Sequence, residues 1–563
     1  MSLKNRLLIL SIISGIASCN VENNNLGPSL ESITANELKK DISVLASDDF
    51  RGRFPATAGE EKTINYLAGE FKKIGLVPAY KGSYFQEVPL VKITADTSMS
   101  LNISGGKSKI RLKYHDEFIG NTSKITDNVQ IDNSEIVFVG YGINAPEYNW
   151  NDYTGLDVKD KTVLMLINDP GYATGDTALF TGKAMTYYGR WTYKYEEAAR
   201  EGATAAIIIH ETGAAAYPWG VVQNSFSGPQ FYLEDNDISR SDLKLKAWIT
   251  TEAAKRIFES AGIDYDQSLQ AAAKRGFKPV DMHLNASANF KTRTDYTKSN
   301  NVAGIWPGTG TPDEYIIYTA HWDHLGVNPA LKGDSIFNGA VDNATGTAAL
   351  LGIAKAFTKL PKKQSRSILF LSVTAEEQGL LGSEYYVEHP FFPLSKTAAV
   401  INMDALNISG ATKDMTIIGY GYSQLDNYVK GVLKKYDRYA VPDPQPEKGG
   451  YFRSDHFSFA KAGVPALDLS GGIDNVEHGK EWGMAERDKW IMEHYHKPSD
   501  NYDPGKWNFE GMIDDIRVYF EVGYNLSISK EFPNWNPGNP FKPLRDKMMK
   551  PAPDPPDDKP YQP

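Results

Sequence analysis

A single cysteine in 563 residues excludes an intramolecular disulfide and leaves no thiolate set for a structural zinc site. Beyond the first twenty residues, no apolar run approaches the ~20 residues that a membrane-spanning helix needs. Basic residues are in deficit: 60 Lys and Arg against 70 Asp and Glu give a formal net charge of −10, which argues against a nucleic-acid partner. Core material is plentiful, with 41% apolar and 12% aromatic residues, in a chain long enough for two domains plus extensions.

The lone cysteine is informative by position. Lys4 and Arg6 precede an apolar run, Leu7 to Ala17, of signal-peptide length and too short to span a bilayer. The run closes on Ile16-Ala17-Ser18-Cys19, which resembles a bacterial lipobox. That resemblance implies a signal peptide over 1–18, cleavage before Cys19, lipidation of its thiol and a polar tether over 19–30. Lipidated Cys19 is then the only expected membrane contact. Asn20 stands where an Asp would mark inner-membrane retention, so the expected location is the outer membrane of the cell envelope.

The chain is organised around residues 314–404. Three apolar runs, 315–320, 367–373 and 398–403, each end in residues able to hold a metal: His321-Trp322-Asp323-His324, Glu376-Glu377 and Asp404. Between the first two, Gly339-Ala340-Val341-Asp342-Asn343 opens a helical run to about Thr358. Short β-rich runs separated by helical patterns predict buried strands of a mostly parallel sheet flanked by helices, an α/β fold. Ligands of such sheets bind outside the carboxyl ends of the strands, so these distant residues are expected on one rim.

Before that stretch, Thr34-Ala35-Asn36-Glu37 has the form of a capping box, and a second amphipathic helix ends at Gly75. Residues 84–130 alternate apolar and polar positions, as antiparallel strands do. Residues 31–133 and 291–530 are expected to form the catalytic domain, with 134–290 an inserted β-rich module free of metal-ligand clusters. Within it, Tyr172 to Arg190 predicts a long surface loop. Residues 531–563 are a Pro-rich tail expected to be extended or disordered.

His321, Asp342, Glu377, Asp404 and one later histidine are the inventory that two cations bridged by one carboxylate require. Such a pair makes a nucleophile of water at neutral pH and clamps the attacked oxygen. Of the adjacent carboxylates Glu376-Glu377, one can face metal while the other acts as general base. An Asp two positions from a ligand His, as Asp323 is, can orient the ring.

Taken together, Ala320-His321-Trp322-Asp323, Gly339 to Gly346, Ala375-Glu376-Glu377-Gln378-Gly379, Asn402-Met403-Asp404 and Tyr495-His496-Lys497-Pro498-Ser499-Asp500 resemble the zinc aminopeptidase and glutamate carboxypeptidase family. The resemblance covers about residues 30–130 and 295–530, and 134–290 resembles the protease-associated domain. It implies a phosphorylase/hydrolase-like exopeptidase fold and two Zn2+ per chain. Asp342 would bridge them, with His321 and Asp404 on one and Glu377 and His496 on the other. Glu376 would be the general base, Asp323 the orienter of His321, and Tyr495 a candidate oxyanion donor. His494 and His456 are rivals to His496, whose flanking Lys497-Pro498-Ser499-Asp500 fits better. A cis bond after Asp342 is also implied.

The leading expectation is a metallopeptidase that releases N-terminal residues from peptide substrates. One alternative is a carboxypeptidase or dipeptidase for acidic peptides, for which Arg453 and Arg190 are the candidate basic residues. Others are a glutaminyl-cyclase-like acyltransferase, disfavoured by the ligand set for two metals, and a binding protein on a dead scaffold, disfavoured by the presence of all five ligands and the base.

Overall fold

The computed structural model describes residues 26–234 and 243–550. The expected signal peptide, Cys19 and the last Pro-rich residues lie outside these. Four parallel strands form the middle of the main sheet, in the spatial order Arg366–Val373, Thr311–His321, Thr397–Asn402, Ala466–Gly471. Every residue of Arg366–Val373 and of Thr397–Asn402 is buried, which is why these strands read as unbroken apolar runs. The flanks are antiparallel: Val280–Trp306 lies beside Arg366–Val373, and Asp414–Ile418 beside Ala466–Gly471.

Helices Ala35–Leu45, Gly346–Thr358 and Glu510–Ile528 bury apolar faces in the largest core, with Ile42, Leu350, Phe357 and Phe520 among them. Thr34 caps the first of these, its side chain accepting from the Glu37 amide. Helix Ala58–Ile74 ends on Gly75 at φ +94, a left-handed conformation that costs glycine nothing.

A second sheet has its own core on each face. Asn128–Phe138, Thr162–Leu166, Ala205–His210 and Leu245–Thr250 are parallel neighbours, and Phe118–Asn121 closes the edge antiparallel. Along Ala205–His210, Ala205, Ile207 and Ile209 face one core while Ala206 and Ile208 face the other. In this unit helices pack beside the expected β-rich sheet, making it layered α/β. One strand joins the two sheets: in Val280–Trp306, residues 280–291 pair in the second sheet and 292–302 pair with Phe85–Ala95.

Several expectations need correction. The boundary placed at 134 lies near 96, because Ser100–Ser104, Ile110–Lys113 and Phe118–Asn121 all pair within the second sheet. Alternating strands look alike on either side of that point, and only pairing separates them. Residues 172–190 are no bare surface loop: Leu179, Phe180 and Met185 are buried, and Met185 donates its amide to the Pro446 carbonyl at 3.0 Å. Gly27–Glu31, at the end of the expected tether, is helical, with Leu26 and Leu30 packed on the main core. The first part of the tail packs on the main domain: the buried Trp535 indole donates to the Gly463 carbonyl at 2.9 Å, and Arg545 to that of Thr397 at 3.0 Å. Helix Gly479–Glu493 has no buried residue, so no apolar stripe announced it.

Candidate active site

The parallel register aligns the strand ends. His321 is level with Val373, and Thr319 with Asn402, so the residues following each strand emerge on one rim. The turn Ala340–Thr345 brings Asp342 there from the start of helix Gly346–Thr358. Its Asp342–Asn343 bond is cis. The Asn343 side chain straps this turn to the next strand end, donating to the Met403 carbonyl at 3.0 Å and accepting from the Gly346 amide at 2.9 Å. Position 346 must be glycine-sized, since a Cβ would collide with Asn343 and the Met403 carbonyl.

Asp342 is central to the cluster. His321 Nε2 lies 3.3 Å from Asp342 Oδ1 and 3.3 Å from Asp404 Oδ1. On the other side, His496 Nε2 lies 3.3 Å from Asp342 Oδ2 and 3.0 Å from Glu377 Oε2. Ligand atoms bonded at ~2.0–2.1 Å to a tetrahedral cation sit about 3.3 Å apart, so both groups have the spacing of a coordination tetrahedron. One oxygen of Asp342 serves each group. The nitrogen and oxygen donor set suits a borderline cation, and the residues present fit bound metal.

The charges of these groups compensate one another. Burial opposes the charged His496 ring, but Glu377 and Asp342 outweigh it and push its pKa up to about 10. Burial likewise opposes ionised Glu377, yet His496 and His324 bring it down to about 2. Glu376 behaves oppositely: burial and then its carboxylate neighbours, opposed by His321, hold it well above the usual range. Its Oε2 is 4.0 Å from His321 Nε2, near the ligands but outside their contact distances.

The rivals of His496 sit elsewhere. His494 Nδ1 is engaged by Ser499, and His456 is buried beside Asp468 with its Nδ1 3.6 Å from the carboxylate. Tyr495 stacks on the His496 ring at 3.9 Å, and burial keeps its hydroxyl protonated. Asp323 departs from expectation. Its carboxylate accepts from the Glu376 and Glu377 amides at 3.0 and 3.3 Å, while its carbonyl, at 3.2 Å, is the closer partner of His321 Nδ1. The carboxylate is 3.7 Å from that nitrogen, too long for a hydrogen bond.

Four contributors had no role assigned from sequence. His324 Nδ1 meets Glu377 Oε1 at 2.6 Å, a hydrogen-bond distance that turns Oε2 toward His496. It also groups with Asp342 and Glu377 as a possible ligand, but 2.6 Å is too short for two ligands of one cation. Its place in the dense run 321–324 was the available signal. Arg53, fully buried, donates to the carbonyls of Trp322, Leu45, Asn338 and Gly339 at 2.5–2.8 Å, tying the ligand loops together. Asp500 accepts from the Val341 and Asp342 amides at 3.1 Å, and burial raises its pKa to about 6. Ser454 donates to Asp404 Oδ2 at 2.7 Å. Asp500 closes the motif that follows His496, whereas nothing local in the sequence marks Arg53 or Ser454.

Comparison with known proteins finds peptidase relatives. Aminopeptidase NAALADL1 of Rattus norvegicus is 32% identical over 206 residues, 32% of this chain and 26% of that protein. The match thus spans about a quarter of that relative's length. Probable glutamate carboxypeptidase AMP1 of Arabidopsis thaliana is 25% identical over 463 residues, 75% of this chain and 60% of that protein. Among solved structures, the aminopeptidase from Aneurinibacillus sp. strain AM-1 superposes with a TM-score of 0.52 at 18% identity, over 90% of this chain and 97% of that one, and shares the fold. The model of peptidase family M28 matches residues 301–520, which hold every proposed ligand. Those residues of this chain form a domain of peptidase family M28.

Proposed function

We propose that this chain is a metal-dependent aminopeptidase that holds two Zn2+ and cleaves peptides by water attack. The observation that carries the reading is the pair of ligand groups, His321/Asp404 and Glu377/His496, sharing the two oxygens of Asp342. Zinc held by His321, Asp342, Asp404, Glu377 and His496 would polarise the scissile carbonyl and lower the pKa of water. Glu376, held by the Asp323 grip on its amide, takes the water proton and delivers it to the departing amine. The Tyr495 hydroxyl, kept protonated, donates to the developing oxyanion. Asp323 and His324 keep Glu376 and Glu377 in their separate roles.

The test is a panel of aminoacyl fluorogenic substrates against N-blocked and C-terminally acidic peptides, with and without chelator, beside metal analysis of the protein. Chelator-sensitive release of unblocked N-terminal residues with about two zinc per chain is expected. Turnover unaffected by chelation would refute the reading.

A second reading, a carboxypeptidase or dipeptidase for acidic peptides, is favoured by one feature. Arg190 and Arg453 line a cavity of about 430 Å3 together with Glu376, Glu377 and His496. Among the described residues no carboxylate pairs with either guanidinium, and the Nε of each lacks a hydrogen-bond partner. Burial, and the Arg453 charge beside it, bring the Arg190 pKa down to about 10. A buried and a half-buried guanidinium, neither paired with a carboxylate, suit a substrate carboxylate beside a peptidase centre. Preference for free-acid over amidated dipeptides would select this reading.

The inserted unit is proposed to be a protease-associated domain, and the chain an exported lipoprotein anchored in the outer membrane through Cys19. A Cys19→Ser protein retained in membranes would defeat the second proposal.

A further inference from the structure

The two ligand histidines are held in different ways. His321 rests its Nδ1 on the carbonyl of Asp323, two residues along the same loop. His496 is held from another part of the chain. Helix Trp219–Phe226 of the second unit, seated in that unit's core through Val221 and Val222, places Ser225 Oγ 2.8 Å from His496 Nδ1. The neighbouring Asn224 donates its amide to the His496 main-chain carbonyl at 2.9 Å. These partners precede His496 by 271 and 272 residues.

Each contact answers a specific need. His496 faces Asp342 and Glu377 through Nε2, so it can bind a cation there only with its proton on Nδ1. A hydroxyl oxygen at 2.8 Å can accept a hydrogen bond from that N–H and holds the ring plane. The backbone of His496 lies at φ +55, in the left-handed region that a residue with a Cβ adopts at a cost. Asn224 holds the carbonyl of that residue in place.

We infer that Ser225 and Asn224 are positioning residues through which the second unit completes the metal centre, setting the affinity of the Glu377/His496 position. This rests on the two-metal reading proposed above. It gives the inserted unit a role in metal retention, and it makes the two metal positions unequal: one is built within the M28 domain and the other depends on docking of the second unit.

The test is a chelator-competition titration of the full chain with Zn2+ and Co2+, comparing wild type with Ser225→Ala, Ser225→Thr and Asn224→Ala. Removal of such an outer hydrogen bond typically weakens metal binding ~10–100-fold, so Ser225→Ala should lose about that much on one equivalent and less than about twofold on the other. The cobalt absorption of that equivalent should change with it. Ser225→Thr, which keeps the hydroxyl, should restore binding, and Asn224→Ala should weaken the same equivalent. Unchanged affinity for both equivalents in Ser225→Ala and Asn224→Ala would overturn the inference, as would equal weakening of both. If wild type binds a single equivalent, the two-metal reading fails by itself. The inference then stands or falls on whether Ser225→Ala weakens that one ion. Melting temperatures of the variants close to wild type separate these outcomes from misfolding.

Discussion

Both sheets of this protein carry parallel strands, and they differ in the residues just beyond the carboxyl ends of those strands. In the main sheet, Thr311–His321, Arg366–Val373 and Thr397–Asn402 run directly into imidazole and carboxylate groups that could hold metal. In the second sheet, Thr162–Leu166 and Ala205–His210 lead into longer segments bearing Arg190, Tyr217 and Ser225, which line the cavity beside Glu376 and His496. Two sheets of similar internal construction thus face one cleft, one supplying groups for chemistry and the other groups for contact. Short connections after a strand place side chains rigidly, as coordination demands, whereas longer ones reach across to a neighbour.

Four experiments bear on this division, from the largest expected effect to the smallest. Glu376→Gln should cut kcat by ~10²–10⁴-fold while leaving metal content intact, because a base is lost and no ligand is. Loss of metal in that variant, with retention in Glu377→Gln, would show the two roles reversed. On the contact side, Arg190→Met should reduce kcat/KM about 10–100-fold for substrates with a free carboxylate, given ~1.5–3 kcal/mol per charged hydrogen bond, and spare their amides. Equal losses on both substrate types would move Arg190 from recognition to scaffolding.

A third experiment concerns pH. Burial pushes the His456 ring down to about 3. Between that value and the ordinary ~6.5, the unfolded chain binds the proton and the folded chain does not, so stability falls as pH falls. From pH ~6.5 to ~5 the loss is about 2 kcal/mol, and His456→Phe should flatten this limb in urea unfolding followed at both pH values. An unchanged acid limb would mean that the second unit unfolds first and controls the transition. Last, Lys542→Ala removes an exposed ion pair with Asp546 in the C-terminal helix and should leave the unfolding midpoint essentially unchanged. A lowered midpoint would show that this segment belongs to the main core more firmly than its exposure suggests.

Much of the catalytic frame was legible because its signals are local. Unbroken apolar runs marked the central strands, whose residues are buried on both faces. Ligand-type residues at the strand ends marked the rim, Thr34 marked a helix start and Gly75 a helix stop. Helix Gly479–Glu493 was not legible, since it buries nothing and leaves no periodic trace. The burial of Phe180 and Met185 depends on the surfaces they dock against, so their segment read as loop.

The sequence by itself determined which residue types could hold metal and that the strand ends would present them. Those facts follow from burial and periodicity within a few consecutive residues. Tertiary structure brought His496, which its flanking residues favoured over His456 and His494, to Asp342 and Glu377, and it alone decided that His324 turns Glu377 and that Arg53 ties the ligand loops together. It also decided that Arg190 and Arg453 share one cavity, and that Ser225 reaches His496 from the other unit. Those contacts join segments far apart in the chain, and their geometry comes from how two cores pack, which no local pattern encodes.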